Sequence, residues 1–234
     1  MTSSPGRLFD EVPELYDRAR PAYPGQVFTD LAALVPGRSA LEIGCGTGQA
    51  TRALAARGWS VVALEPGPAL AALARRNLAA FPNVTVENAT FEEWDPRGRH
   101  FDVVVAASSW HWVDPVIGPP RAAALADHLA LIDNTVVRRP GEPEMYALTA
   151  DLHERYSPGN PAWGHPPLEA DVLAQPGRWY PHVQWLAGPA MADLLRTQSI
   201  CRSLTPDVRE PLLDAIAARI TEPIPRRYLC SLRL

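Results

Sequence analysis

Three glycines in five residues, Gly44, Gly46 and Gly48, follow directly on an apolar run that holds Ala40, Leu41 and Ile43. That order reads as a buried strand ending in a loop whose missing side chains let the main chain turn sharply and approach a ligand. Gln49 to Arg57 then has helical composition, so its first N–H groups would face the loop. Strand, glycine loop and helix in succession form a nucleotide-binding layout; the plainer alternative is a tight turn with no ligand. The dinucleotide fingerprint G-x-G-x-x-G would need its third glycine at position 49, where Gln49 stands, which weakens an NAD-type reading. A second apolar run, Trp59 to Leu64, ends at Glu65. An acid roughly 20 residues beyond such a loop is placed to accept from two ribose hydroxyls; its alternative is to complement a helix N-terminus. A third stretch, Ala107-Ser108-Ser109-Trp110-His111-Trp112-Val113, follows the apolar run Phe101 to Ala106. Imidazoles titrate in the physiological range, so His111 suits a general base, and equally a hydrogen-bonded wall.

The longer phrase Glu42-Ile43-Gly44-Cys45-Gly46-Thr47-Gly48 resembles motif I of the class I S-adenosylmethionine methyltransferases. The phrase Tyr16-Asp17-Arg18-Ala19-Arg20-Pro21-Ala22-Tyr23-Pro24 resembles the N-terminal segment of the trans-aconitate-methyltransferase-like group, also called the methyltransferase type 11 group. The resemblance covers residues 8 to 135 firmly and the rest loosely. It implies a Rossmann-like, doubly wound α/β fold with a seven-stranded, mostly parallel sheet of order 3-2-1-4-5-7-6 and a helical cap. It implies S-adenosylmethionine as cofactor, S-adenosylhomocysteine as product, and methyl transfer to a small-molecule O, N or C nucleophile.

The resemblance also implies a site. Gly44, Cys45, Gly46 and Gly48 would wrap the methionine part of the cofactor, with Glu42 orienting it. Glu65, with Pro66 behind it, would hold the ribose. Thr90 and Phe91 would contact adenine, although the family often has Asp where this chain has Thr90; Phe91 as plain core is the alternative. Ala107 and Ser108 would lie beside the cofactor, and Tyr16 and Arg20 would lie over it. Arg20 could meet a carboxylate by a bidentate pair or be solvated. Tyr23, Trp110, His111 and Asn134 would face the acceptor. No D-P-P-Y phrase follows strand four, which argues against an amide or nucleobase acceptor of that type. A cofactor-binding protein that no longer transfers methyl is the second reading.

These groups need elements to hold them. The chain has 234 residues, 47% of them apolar, which suits one domain over residues 1–234. Residues 1 to 6 read as a frayed tail. Residues 7–36 read as an N-terminal helical cover, broken at Arg20-Pro21 and Pro24-Gly25, with Leu8, Val12, Leu15 and Tyr16 near one face. Pro68 suits the first position of the next helix. Val84 to Val86 is the third strand; Glu92, Glu93 and Trp94 read as surface helix. Arg121 to Ala126 reads as a short helix and Leu129 to Ile132 as strand five. Between them the family's Leu-x-Pro-Gly-Gly turn is replaced by Ala126-Asp127-His128. Residues 135–178 and 186–222 read as cap or lid insertions, the first holding a helix from Glu144 to Tyr156 and the second one starting at Thr205-Pro206. A long proline-rich segment inside a compact domain is more often a functional lid than an inert loop. Trp179 to Trp185 carries a proline and reads as an edge strand, and Arg227 to Leu234 as the last strand.

Composition sets bounds. Net charge is −4 and the pI about 5.9, so no basic footprint for nucleic acid exists. All 22 cations are Arg, which removes a Schiff-base or P-loop lysine. Three scattered cysteines suggest a reducing cytoplasm. No apolar run reaches the length of a membrane span. No spacing links the six His to a carboxylate cluster, so no metal is expected. Monomer and homodimer both remain open.

Overall fold

The computed structural model describes residues 9–234; the expected tail and Leu8 lie outside them. Seven strands form one sheet of order β3-β2-β1-β4-β5-β7-β6. They are β1 Ser39–Ile43, β2 Ser60–Leu64, β3 Val84–Glu87, β4 Phe101–Ala107, β5 Ala126–Val137, β6 Arg178–Leu186 and β7 Ile224–Arg233. The first five run parallel, and β7 is antiparallel to both β5 and β6. The expected order is thus the observed one. Leu41, Val103, Val104 and Val105 are fully buried, as central parallel strands covered on both faces require.

Helices α1 Pro13–Ala19 and α2 Gly25–Leu34 precede the sheet. Helices α3 Gln49–Ala55, α4 Pro68–Asn77 and α5 Gly118–Leu125 alternate with its parallel strands. One face packs Val27, Phe28, Leu31, Leu54 and Trp59 on Ala40, Val61 and Val103. The other packs Phe91, Trp94, Phe101, Ala122 and Leu125 on Leu41, Leu64 and Val104. A cap follows from α6 Met145–Tyr156, α7 Glu169–Leu173, α8 Gly188–Arg196, α9 Ser199–Arg202 and α10 Pro206–Arg219. Its own core is Leu152, Met191, Leu195, Cys201, Leu212, Leu213 and Ile216.

Some expectations need correction. Trp94 is not on a surface helix: it is buried in a turn, and its indole N–H donates to Glu87 at 2.7 Å. A solitary indole satisfied by a carboxylate can join a core, which composition alone does not reveal. Strand five is longer than Leu129–Ile132 at both ends. Helix α5 stops at Leu125, and Ala126, its C-cap, is already the first residue of β5. No turn intervenes, which is why the glycine-rich connection is dispensable. Residues 135–137 belong to β5, so the first insertion begins only at Arg138. His153 is buried in the cap, stacked at 4.1 Å on Trp163, while exposed His165 pairs with Glu144 at 2.9 Å.

Candidate active site

The glycine loop is shaped by a close approach at Gly44 and by left-handed backbone at Gly44 and Gly46. Gly44 has φ +64°, and a Cβ there would meet Ser109 Cβ at 2.8 Å. This close approach lets the loops after β1 and β4 touch, closed by the Ser109 hydroxyl donating to the Ile43 carbonyl. Gly46 has φ +59°, and a Cβ there would face the ring of Tyr16 at 3.4 Å. L-residues with side chains rarely adopt this region.

Glu65 stands at the end of β2 beside the loop. Its Oε2 accepts from the Gly46 N–H and its Oε1 from the Gly67 N–H, both at 2.9 Å. Each carboxylate oxygen keeps further acceptor capacity. Burial pushes the Glu65 carboxyl up to about 7 against the pull of those two amides. Glu42 is fully buried and is likewise pushed up to about 7 by burial; Thr51 donates to it at 2.6 Å.

A cavity of ≈ 710 Å³ opens over the carboxyl ends of β1, β2, β4 and β5. Its near end holds Gly44, Gly46, Gln49, Glu65, Thr90 and Phe91, and its far end Asn134, Val136, Gln198, Ser199 and Tyr228. Between them stand Tyr16, Arg20, Tyr23, Ala107, Ser108, His111 and Trp112. Tyr23 donates to Ser108 Oγ at 3.1 Å, and burial raises its phenol. Ser108 itself has φ +55°, so its side chain is held where only strained backbone allows. Arg20 donates to the Thr197 carbonyl at 2.5 Å and lies over the Tyr16 ring.

The structure thus brings together Gly44, Gly46, Glu65, Pro66, Thr90, Phe91, Ala107, Ser108, Tyr16, Arg20, Tyr23, His111 and Asn134 around one cavity. Glu42, Cys45, Gly48 and Trp110 are not on its wall. Glu42 points at Thr51 beneath α3. Gly48 has φ +92° and faces Leu78, so it shapes the start of α3. Cys45 is buried in the core, and Trp110 packs on Phe91. Trp112 lines the cavity, whereas Trp110, expected to face the acceptor, does not. Phe9, Gln198, Ser199 and Tyr228 also line it and were not expected from sequence. No local pattern marks them, because β7 and the α8–α9 junction arrive from far along the chain. Among the described residues no cluster of three His, Cys, Asp or Glu could hold a metal, and no helix is long and apolar enough to cross a membrane.

A parallel sheet extended by an antiparallel β7, with a crevice at the strand ends beyond a glycine loop, defines the class I methyltransferase architecture. Residues 40–129, from β1 into β5, match the family model described as a methyltransferase domain. An uncharacterized methyltransferase of Mycobacterium tuberculosis (strain H37Rv) is 30% identical over 205 residues, 86% of this chain and 80% of that protein. A candidate type II methyltransferase from Anaeromyxobacter dehalogenans is 26% identical, with a TM-score of 0.58 covering 92% of this chain and 96% of that one. A candidate methyltransferase from Bacillus halodurans, 16% identical with TM-score 0.50 over 89% and 96%, shares the fold. The chain belongs to the methyltransferase family and is an S-adenosylmethionine-dependent methyltransferase.

The residues present fit that cofactor. The cavity is in the range of small-molecule sites, the Gly44 and Gly46 backbone leaves space a side chain would fill, and the Gln49 amide nitrogen is buried without a partner.

Proposed function

We propose that this enzyme methylates a small-molecule acceptor held at the far end of the cavity. The observation that carries the reading is continuity: one cavity runs from the glycine loop and Glu65 to Asn134, Ser199 and Tyr228. In this reading Glu65 accepts from the ribose hydroxyls, Thr90 and Phe91 border the adenine, and Gly44 and Gly46 give the amino-acid part access to main chain. Bound there, the cofactor supplies a methyl group on a cationic sulfur, already activated for in-line displacement. The protein's task is then alignment and exclusion of water. Phe9, Tyr16, Tyr23 and Trp112 wall the middle of the cavity, and Asn134 offers an unpaired buried carbonyl oxygen to an acceptor donor group. Alignment of this kind can supply roughly 7–11 kcal/mol. A base is needed only for an acceptor whose proton must leave early. His111 is exposed on the wall and is the candidate for that role in such a case.

Measuring S-adenosylhomocysteine release with a panel of small hydroxyl, amine, carboxylic and phenolic acceptors tests this. Turnover with at least one is expected. Tight cofactor binding with no turnover on any would oppose it.

A further inference from the structure

The far end of the cavity abuts a polar belt on one face of β5, β7 and β6; Asn134 and Tyr228 line the cavity, while His182, Gln184 and Arg226 lie behind them. Cross-strand pairing sets it out: Asn134 lies opposite Cys230, Val136 opposite Tyr228, His182 opposite Tyr228, and Gln184 opposite Arg226. Side chains alternate along a strand, so Asn134, Tyr228, His182, Gln184 and Arg226 share one face. Tyr228 lines the cavity and donates to Gln184 at 2.9 Å. His182 stacks on Tyr228 at 4.9 Å.

This belt concentrates unpaired polar atoms. Asn134 Oδ1, both ring nitrogens of His182 and Arg226 Nε are buried without hydrogen-bond partners, as is Arg20 Nε above the belt. Leaving such groups unsatisfied costs their full desolvation penalty. Arg226 is the extreme member. It is 9% exposed, its Nη1 reaches the Met191 sulfur at 4.0 Å, and its guanidinium stands by Tyr228, the central carbon 6.0 Å from the ring centre. No carboxylate lies within ion-pair distance of it among the described residues, and residues 1–8 contain no acid. Neighbouring acids are engaged elsewhere: Glu210 with Arg196 and Arg209, Glu142 with Arg227, Asp133 with Arg233. A buried charge without a counter-ion is costly enough that native structures pair it. Burial raises the Tyr228 phenol, and the Arg226 and Arg20 cations pull it the other way.

We propose that the cavity end against this belt is an acceptor subsite for an anionic group, met by Arg20 and Tyr228 on the wall and favoured by the uncompensated charge of Arg226 behind Tyr228. The inference rests on the methyltransferase reading above and names the charge of its substrate. Asn134 is two strand residues past the level where β4 and β5 last pair, and Tyr228, opposite Val136, two residues further, about 7 Å. The anion is therefore an anchor remote from the glycine loop, while the attacked atom lies nearer Asn134. The substrate is a small organic acid or phosphate ester methylated at another position.

The test uses the full chain saturated with S-adenosylhomocysteine, with succinate, inorganic phosphate and the neutral counterpart succinamide as probes. Succinate or phosphate should raise the melting temperature and succinamide should not, with affinity falling as ionic strength rises. Arg226→Met should weaken the anion by about tenfold or more, Arg226→Lys less, and both should keep S-adenosylhomocysteine affinity. Equal effects of succinate and succinamide, anion binding that ignores salt, or undiminished anion affinity in Arg226→Met would each overturn the subsite. If Arg226→Met does not fold, the Lys variant and the salt series decide. Failure of S-adenosylhomocysteine itself to bind would instead refute the reading beneath.

Discussion

Strands β1 to β4 and strands β5 to β7 face one cavity, yet they treat charge in opposite ways. On the first side the charged groups are acids, and each has its donors in place: Thr51 for Glu42, the Gly46 and Gly67 amides for Glu65. On the second side the buried charge is Arg226, with no carboxylate among the described residues to answer it. Where donors already surround a carboxylate, its orientation is set before any ligand arrives, and binding costs less ordering. Where a cation is left unanswered, the ligand is expected to complete the set. On the proposed assignment, preorganisation marks the cofactor side, and incompleteness the acceptor side.

The comparison breaks most readily at Gly46. Gly46→Val should abolish measurable S-adenosylhomocysteine binding by calorimetry. A branched side chain is strained at φ +59° and would fill the space facing Tyr16. Retained affinity would show that the loop backbone is not approached by the cofactor. Next in size, Glu65→Ala should weaken binding about 10- to 100-fold, the loss of hydrogen bonds to a charged group. The parent's affinity should also decline as pH falls below about 7, because ribose hydroxyls are best accepted by the ionised carboxylate. Glu65→Gln should flatten that profile. Parent-like affinity in the Ala variant would remove Glu65 from the site.

A third effect concerns folding. Glu42 is raised to about 7 in the folded chain, above its unfolded value, so the native state holds the proton more tightly. Its contribution is fully present at acid pH below the unfolded value and is lost as pH rises through about 7, amounting to roughly 2–3 kcal/mol. Glu42→Gln keeps an acceptor for Thr51 without the charge. Its urea midpoint should exceed the parent's at pH 8 and converge with it at pH 5; a parallel decline in both proteins would sink this account. The smallest effect is expected at His111. It lies exposed on the wall, with its ring 4.8 Å from Trp112. His111→Ala should lower kcat by less than about threefold; a fall of 10²-fold or more would make it the base.

The cofactor side was the more readable from sequence because its determinants are local. Strand, loop and helix run consecutively from Ser39 to Ala55, and Glu65 ends the next strand. Glu42 and Gly48 show the limit even there: motif membership did not say that one carboxylate faces Thr51 or that the glycine faces Leu78. Trp94 misled because aromatic beside acids resembles a surface, while Glu87 and the Arg99 guanidinium over its ring enclose it. The acceptor side depends on pairing between residues some hundred positions apart, such as Asn134 with Cys230. Arg226 looks like any exposed cation until β6 and the cap close over it.

Helix α1 has no buried side chain, yet its neighbourhood is tied to both sides. Asp10 accepts from the Leu70 amide, Asp17 from Asn77, and Glu14 pairs with Arg76; Arg18 reaches Asp193 and Arg20 the Thr197 carbonyl. Surface ion pairs of this sort are worth about 0–1 kcal/mol each and weaken with salt. The helix beside the cavity, which lends it Tyr16, is therefore fastened by laces rather than by glue. Traffic of spent cofactor should pass beneath it, quickening in concentrated salt while the sheet below stays intact.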